Sequence, residues 1–188
     1  SYWFSQPRYF SRKVRRIFVR KFLIKYKMEK ASTIKNYLNN LNISFKVHSH
    51  PAVYTCEEAE NLCKNILGIH SKNLFLKSKK DKEQNFYLAI LPENKKLDIK
   101  TLEKKLNNKL KFASDEDLNT ILNIKTGAVS PFALINDKEG KVILLIDREV
   151  LASDIVSFHP NINTETLELS NKEFHRYLTS LKNKRIEI

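Results

Sequence analysis

A short apolar run, Leu74-Phe75-Leu76, directly follows the polar tetrad His70-Ser71-Lys72-Asn73. A continuous apolar run of this kind is typical of a strand that is buried on both faces. We therefore expect Lys72 and Asn73 to lie at the mouth of a buried strand. A lysine ammonium is strongly hydrated, so its partial burial is either costly or useful. For a lone lysine at a strand end, extension of the ammonium to water is the more common outcome.

Composition excludes several classes of protein. The length of 188 residues suits one domain, and with 3 Gly the chain has neither a GxGxxG nor a GxxxxGK[ST] nucleotide-binding loop. Cys56 and Cys63 lie too far apart on one predicted helix to form a disulfide, so we expect reduced thiols and an intracellular protein. His48, His50 and His70 lack further ligands at zinc-like spacing, so we expect neither a metal nor a cofactor. No apolar run is long enough to span a bilayer.

The positive charge is concentrated at the N-terminus. Residues 1–28 hold 9 of the 34 Lys and Arg and none of the 21 Asp and Glu, which leaves 25 basic and 21 acidic residues, or +4, for the rest. We divide the chain into a basic extension, residues 1–29, and a domain over residues 30–188. The extension has the spacing of a basic amphipathic helix. It fits an organelle transit segment, which we favour slightly, an arm that contacts RNA or membrane, or a boundary artefact, since Met28 is a possible start.

The domain alternates between helical and strand periodicity. Helices are predicted over residues 32–41, 55–65, 98–110, 115–122 and 170–181. Strands are predicted over residues 43–48, 72–77, 86–91, 142–146, 155–158 and 166–169, with a further strand from Pro131. The second and third of these strands are expected to form an antiparallel hairpin. Capping boxes are predicted at Ser114 with Asp117 and at Ser170 with Glu173.

One face of the predicted helix 98–110 is rich in lysine. This face contains Lys100, Lys104, Lys105, Lys109 and Lys111. It is able to meet an RNA backbone, but charged outer faces are normal for amphipathic helices, and we prefer an ordinary solvated face.

Residues 126–137 form a second notable segment, in which Gly127 precedes a run of small residues. A glycine here permits close approach of a ligand to the backbone. The backbone N–H groups before Pro131 are able to form a cradle for a carbonyl or carboxylate oxygen. The alternative is an ordinary turn before a core strand.

Six short sequences together resemble a known family. HPAVYTCEEA, HSKNLFLKSKK, FAS, GAVSPFALIND, FHPNINTETLELS and EFHRYL occur in this order over residues 30–182. They resemble the YbaK/prolyl-tRNA-synthetase-associated editing domain family, and NLFL and PFALIND favour its free-standing prolyl-tRNA editing branch, which acts on alanyl-tRNA(Pro). The resemblance implies an α+β fold with a mixed β-sheet curled toward a barrel and surrounding helices. It also implies hydrolysis of the ester that joins a wrong amino acid to tRNA(Pro).

The resemblance assigns candidate site residues position by position. The essential lysine of the family corresponds to Lys72, its neighbouring asparagine to Asn73, and the histidine of its Phe-His-Pro motif to His159. The Gly-x-x-Ser-Pro-Phe loop of the family corresponds to Gly127–Phe132. We assign catalytic roles to Lys72, Gly127 and Ser130, and substrate binding to Asn73, Ala128, Val129, Pro131, Phe132 and His159. The pair Ala128-Val129 departs from the family pattern, and we expect this variation to be harmless.

Hydrolysis of an aminoacyl ester needs a positioned water and stabilisation of a developing oxyanion, but no protein nucleophile. No Ser-His-Asp pattern or GxSxG elbow is visible. Backbone N–H groups around Gly127–Ser130 are able to hold the oxyanion, and Lys72 supplies a fixed cation. Within the family the ribose hydroxyl of the substrate is thought to assist, which fits the absence of a strong protein base. We therefore expect hydrolysis by positioning and electrostatics, without a metal.

Two alternatives remain open. One is a cysteinyl-tRNA(Pro) deacylase, and the other is a non-catalytic module that binds tRNA or is appended to a synthetase. The expected partners are the acceptor end of tRNA(Pro) and prolyl-tRNA synthetase, with no stable membrane association; the sequence does not define the oligomeric state. The expected compartment is the cytoplasm, or an organelle if the extension is a transit segment.

Overall fold

The computed structural model describes residues 28–51, 66–79 and 84–188. The predicted basic helix of the extension and the predicted helix 55–65, which holds both cysteines, lie outside these ranges. Within the ranges, no helix is both long enough and apolar enough to cross a membrane.

Helices and strands alternate along the described chain. The helices are α1 (28–40), α2 (Ile99–Leu106), α3 (Asp115–Leu122), a 3-10 helix (Pro131–Asn136), α4 (Arg148–Ala152) and α5 (Asn171–Ser180). The strands are β1 (Lys46–Ser49), β2 (Ile69–Ser78), β3 (Phe86–Pro92), β4 (Leu110–Phe112), β5 (Val142–Ile146), β6 (Ile155–Phe158), β7 (Glu165–Ser170) and β8 (Arg185–Glu187).

The strands form one mixed sheet. Its 8 strands have the order β1-β7-β6-β2-β3-β5-β8, with β4 paired to β2 outside this path. The predicted hairpin of β2 and β3 is antiparallel, whereas β2 pairs with β6, β3 with β5 and β5 with β8 in parallel. In the described part of the chain the sheet does not close into a barrel. The predicted α+β architecture, a mixed sheet with surrounding helices, is confirmed.

The two faces of the sheet carry separate hydrophobic clusters. On one face Phe75 and Leu88 pack with residues of α1, α5 and the 3-10 helix, which we call the first cluster. On the other face Leu76 and Tyr87 pack with Leu102 of α2, which we call the second cluster. Because the neighbours Phe75 and Leu76 are buried in different clusters, the central part of β2 is buried on both faces, as its apolar run predicts.

The predicted N-caps at three positions are confirmed, but the capping box predicted for Ser170 and Glu173 is only half formed, because the Glu173 carboxylate accepts the Ser44 N–H at 3.0 Å. Ser114 and Asp117 form a reciprocal capping box at the start of α3. The Asp98 carboxylate accepts a hydrogen bond from the Thr101 N–H at 3.0 Å, and the Ser170 hydroxyl accepts one from the Glu173 N–H at 3.4 Å. Each bond satisfies an N–H group that the first turn of a helix otherwise leaves without a partner.

The prediction that Leu110 belongs to the same helix as Ile99 is wrong. Asn107 adopts a left-handed conformation (φ 49°), and its N–H donates to the carbonyls of Glu103 and Lys104, which ends α2. Asparagine tolerates this conformation better than other residues with a side chain. Lys109 and Lys111 therefore lie outside α2, and the five lysines do not share one helix face.

Two further boundaries differ from the predictions. Ser32 lies inside α1 and is not its cap, because residues 28–31 are already helical. The strand predicted at residue 43 begins at Lys46, since the chain first leaves α1 through Asn42, whose φ is 53°. Short polar connections of this kind are the least predictable from periodicity alone.

Gly68 permits the close approach of β2 to β6. Its φ is +98°, and a Cβ atom built on it would lie 2.5 Å from the carbonyl oxygen of Ile155. Beside it, the Ser157 hydroxyl donates to the carbonyl of Leu67 at 2.7 Å. Both the backbone conformation and the lack of space therefore require glycine at this junction.

We predict that Gly68→Ala lowers the free energy of unfolding by more than about 1 kcal/mol, because it adds a steric clash to a left-handed conformation. Gly127→Ala is the matched control: its φ is +79°, but nothing lies within 4 Å of the added Cβ. Denaturant unfolding of both variants measures the difference. Equal losses of stability would show that the close approach to Ile155 does not constrain residue 68.

Candidate active site

One edge of β2 is only partly paired. On this edge β6 pairs with Ile69 and His70, and β4 pairs from Leu76 onward. Between these two ladders, residues 71–75 have no strand partner on this edge among the described residues, although they pair with β3 on the other edge. The Phe75 carbonyl accepts the N–H of Ala113 at 3.0 Å. We call the open space along this edge, beside residues 71–75, the edge gap. The stretch that borders it contains the two polar residues that the sequence placed at the mouth of the buried strand, and the structure puts both inside β2.

Lys72 and Asn73 project to opposite faces of the sheet, because side chains alternate along a strand. Lys72 lies opposite Leu91, on the face of the second cluster. Asn73 lies opposite Ile90, on the face of the first cluster. The sequence analysis grouped these neighbours as one site, whereas the structure places their side chains on opposite faces of β2.

Lys72 carries a partly buried charge without an acidic partner. Its Nζ atom donates to the carbonyl oxygen of Glu93 at 2.9 Å, and the Glu93 N–H in turn donates to the carbonyl of His70 at 3.0 Å. No ion pair joins Lys72 to a carboxylate of the described residues. The ammonium is thus positioned by a neutral acceptor, and its charge is available to an anion.

Asn73 attaches the segment around Gly127 to β2. Its Nδ2 atom donates to the carbonyl oxygen of Val129 at 3.1 Å. Its Oδ1 atom is buried without a hydrogen-bond partner. The amide therefore holds the loop against the edge gap with one atom and leaves the other available to a ligand.

The loop at residues 125–130 presents backbone N–H groups. The Ala128 N–H donates to the Lys125 carbonyl at 3.1 Å, and Gly127 has the positive φ (+79°) that the third residue of a type II turn requires. Gly127 is exposed, and Ala128 and Val129 are partly buried. In the described structure the N–H groups of Gly127, Val129 and Ser130 donate to no protein acceptor. Three of the four N–H groups of the predicted cradle are thus uncommitted, because that of Ala128 is already used.

The strand predicted from Pro131 is absent; this residue begins the 3-10 helix instead. The fully buried Ser130 caps that helix, its hydroxyl accepting the Phe132 N–H at 3.1 Å. Proline suits the first helical position because its missing N–H would have no partner there. The Ser130 hydroxyl is therefore already used, and only the backbone N–H of Ser130 is left to donate to a substrate oxygen.

Pro131 and Phe132 anchor the loop in the core. The Pro131 carbonyl accepts the hydroxyl of Tyr177 at 2.8 Å. Phe132 is fully buried and packs edge-on against Tyr177 and Phe158, with ring centroids 5.1 and 6.1 Å apart. The structure therefore places both residues beneath the loop, where they support it from the first cluster.

His159 follows β6, the strand that pairs with the start of β2. The parallel ladder pairs His70 with Ser157, and His159 comes two residues later, just after β6 ends at Phe158. The Nδ1 atom of His159 is buried without a partner. Burial, with a contribution from the neighbouring His50, lowers the pKa of His159 from 6.5 to about 4. The imidazole is therefore neutral at pH 7.

Buried polar atoms without partners concentrate around the edge gap. Four of the five such side-chain atoms in the described residues are Ser71 Oγ, Asn73 Oδ1, His159 Nδ1 and Asn161 Oδ1; the fifth belongs to Asn183. Folded proteins satisfy nearly all buried polar groups, so these atoms require an explanation, and a ligand that supplies their partners is one. The sequence analysis missed Ser71 and Asn161, although both lie within its quoted motifs. In the structure, Asn161 is distinguished by its left-handed backbone conformation, with a φ of 58°.

The remaining motif histidines have local partners. His48 pairs with Glu168 at 2.7 Å, His50 with the hydroxyl of Thr166 at 3.0 Å, and His70 with the carbonyl of Ile66 at 3.2 Å. In the part of the chain that the structure describes, no group of three His, Cys, Asp or Glu residues is arranged to hold a metal ion.

Comparisons with known proteins agree on one family. The sequence profile of the aminoacyl-tRNA editing domain matches residues 50–177. The chain is 35% identical over 140 residues to the prolyl-tRNA editing protein ProX of Acetoanaerobium sticklandii, covering 74% of this chain and 84% of the relative. It is 35% identical over 147 residues to prolyl-tRNA synthetase associated domain-containing protein 1 of Xenopus laevis, covering 76% and 86%.

Solved structures share the fold at low sequence identity. A crystal structure described as a candidate trans-editing enzyme for prolyl tRNA synthetase has a TM-score of 0.65 and 17% identity. The match covers 84% of this chain and 95% of that one. At this identity the likeness establishes the fold alone.

We predict that Asn73→Asp loosens the loop, because the carboxylate cannot donate to the Val129 carbonyl. Hydrogen exchange of the Ala128 and Phe132 amides should accelerate, and the free energy of unfolding should fall by about 1 kcal/mol or more. Asn108→Asp is the matched control, since it removes a side-chain bond to the Tyr87 hydroxyl on the opposite face of the sheet. Unchanged exchange in the loop would contradict the proposed attachment.

We predict that His159 makes stability depend on pH. Its folded pKa of about 4 lies below the unfolded value of 6.5, so the unfolded chain binds the extra proton between these values. This contribution to stability is complete above pH 6.5 and is lost as the pH falls toward 4. Thermal unfolding at pH 7.5 and 4.5 should show a smaller loss in His159→Gln than in wild type, and His175→Gln should behave as wild type.

Proposed function

The chain belongs to the aminoacyl-tRNA editing domain family, and on that premise we propose that it hydrolyses mischarged alanyl-tRNA(Pro) in trans. Membership makes it an aminoacyl-tRNA deacylase, a hydrolase of the ester between an amino acid and tRNA. The substrate, alanine on tRNA(Pro), is the proposed part. The sequences NLFL and PFALIND support alanine, and the ProX relative supports a prolyl-tRNA substrate.

One observation carries the catalytic proposal: the edge gap combines an unpaired cation with uncommitted N–H donors. Lys72 lies on one side of β2, and the loop with the N–H groups of Gly127, Val129 and Ser130 is attached on the other. Neutral His159, which follows the end of β6, adds no second positive charge. An ester carbonyl in this gap would find hydrogen-bond donors and a positive field without any protein nucleophile.

The proposed reaction is direct hydrolysis. A water oxygen attacks the ester carbonyl carbon, and the carbonyl oxygen becomes negative. The loop N–H groups stabilise this oxyanion, and one donor of this kind contributes about 3 kcal/mol when it is preorganised. The Lys72 ammonium adds a positive field from the other side of β2. The bond between the carbonyl carbon and the ribose oxygen then breaks, and a proton from the water passes to the ribose oxygen. The products are free alanine and a tRNA with a free 3′ end.

We assign positioning roles to the other residues of the loop and gap. Asn73 and His159 hold the aminoacyl end, and Ala128 and Val129 line the loop next to it. Pro131 and Phe132 act from beneath, by fixing the loop on the core. These assignments are supported by the family motif and by the unpartnered atoms of Asn73 and His159.

Selectivity against proline is proposed to come from the size of the pocket. Apolar contacts distinguish a methylene-sized difference by only about 1–3 kcal/mol. A pocket that fits alanine excludes the proline ring by steric clash, which discriminates more sharply. Cysteine differs from alanine by a single thiol, so a cysteinyl-tRNA(Pro) deacylase is the alternative substrate assignment. Prolyl-tRNA synthetase is the proposed protein partner.

We predict that the wild-type protein deacylates alanyl-tRNA(Pro) and spares prolyl-tRNA(Pro). Lys72→Ala should lower the rate about 100-fold or more, because it removes the cation from the transition state. Lys46→Ala is the matched control, since Lys46 is an exposed lysine on strand β1. Release of radiolabelled amino acid from alanyl-, cysteinyl- and prolyl-tRNA(Pro) measures all three activities. Preferential release of cysteine would reassign the substrate, and no release from any of them would refute the proposed activity.

A further inference from the structure

Phe112 is an exposed aromatic side chain beside the candidate active site. It is 61% exposed, and among the exposed large hydrophobic residues of the described chain it is the only aromatic one. It ends β4, the strand that borders the edge gap, and the next residue, Ala113, donates its N–H to the Phe75 carbonyl. A single exposed apolar residue is ordinary on a protein surface, so its meaning depends on its surroundings.

The sheet register places Phe112 on the same face as Lys72. Phe112 pairs with Leu76, and residues paired across strands project to the same face. Leu76 follows Lys72 by four residues, an even number, so Lys72 shares that face. The separation along the strand is about 13 Å at 3.3 Å per residue. A polymer bound at Lys72 is thus able to extend over Phe112.

Exposed lysines lie near this aromatic residue. Lys111 precedes it and, because side chains alternate along a strand, projects to the opposite face of β4. The Lys79 N–H donates to the Lys109 carbonyl at 2.8 Å, which places Lys79 at the end of the same ladder. Lys109 pairs with Glu103 at 2.9 Å, whereas within the described chain the ammonium groups of Lys79 and Lys111 form no ion pair. The end of β4 therefore carries an exposed aromatic ring on one face and Lys111 on the other, and the nearby Glu103 carboxylate partly offsets the charge of Lys79.

We propose that Phe112 is a stacking platform for the single-stranded nucleotides that precede the terminal adenosine of the tRNA, with the lysines at the end of β4 supplying a positive field near their phosphates. Aromatic rings flanked by basic side chains are the usual means of binding single-stranded nucleic acid. The ester that reaches Lys72 is carried by the terminal adenosine, and two cytidines precede it in every tRNA. This inference rests on the proposed function, because it takes the edge gap as the place of the ester.

The test compares a substrate that has the cytidines with one that lacks them. Phe112→Leu should raise KM for alanyl-tRNA(Pro) about 5- to 150-fold with little change in kcat, the range for loss of one stacked base. It should leave hydrolysis of 3′-O-alanyl-adenosine unchanged. Phe112→Trp should retain the wild-type KM because it keeps an aromatic face. Val47→Ala, at a second exposed apolar residue (42% exposed), is the matched control.

A binding measurement separates this inference from the proposed function. Fluorescence anisotropy with an RNA hairpin that ends in CCA and carries a non-hydrolysable 3′-alanylamide should show weaker binding to Phe112→Leu. The same hairpin without the two cytidines should bind both proteins equally. If the wild type hydrolyses no ester but these differences persist, the proposed function fails and the platform stands. Equal effects on both substrates, no effect on either, or failure of tryptophan to restore KM would overturn the platform.

Discussion

The candidate active site depends on the point at which the parallel ladder between β2 and β6 ends. The ladder pairs only Ile69 and His70 with β6, and Gly68 permits the close approach at its start. After Phe158 the chain leaves the sheet through Pro160, which has no N–H to donate to a ladder, and Asn161, which is left-handed. Strand β2 continues to Ser78 without β6. The edge gap is the space that this divergence creates.

The charges around the gap suit a substrate that becomes negative as it reacts. A buried ammonium that was paired with a carboxylate would be neutralised before the ester arrived. The Lys72 ammonium is held instead by the neutral carbonyl of Glu93, which fixes its position without neutralising its charge. His159 is kept neutral by burial. The unpartnered polar atoms of the gap cost stability in the free protein, and a bound ligand would recover that cost by supplying partners.

The sequence analysis was most successful where local chemistry decides the structure. The caps at Asp98, Ser114 and Ser170 and the hairpin of β2 and β3 are confirmed. It failed where one residue changes the outcome of a periodic pattern. Leu110 fits the helical spacing, but Asn107 ends the helix before it. Pro131 fits the start of a strand, but the Ser130 hydroxyl caps a 3-10 helix there, and the two possibilities have the same apolar pattern.

By itself the sequence determined most of the longer helices and strands of the described chain, the buried nature of β2 and the set of motif residues that the resemblance names. These follow from hydrophobic period, capping chemistry and composition, all of which act over a few residues. Only the tertiary structure decided that Lys72 and Asn73 lie on opposite sides of β2, that Phe132 supports the loop from the core, and that Phe112 shares a face with Lys72. These relations depend on strand register and on where one ladder ends, and both are set by contacts between segments far apart in the chain.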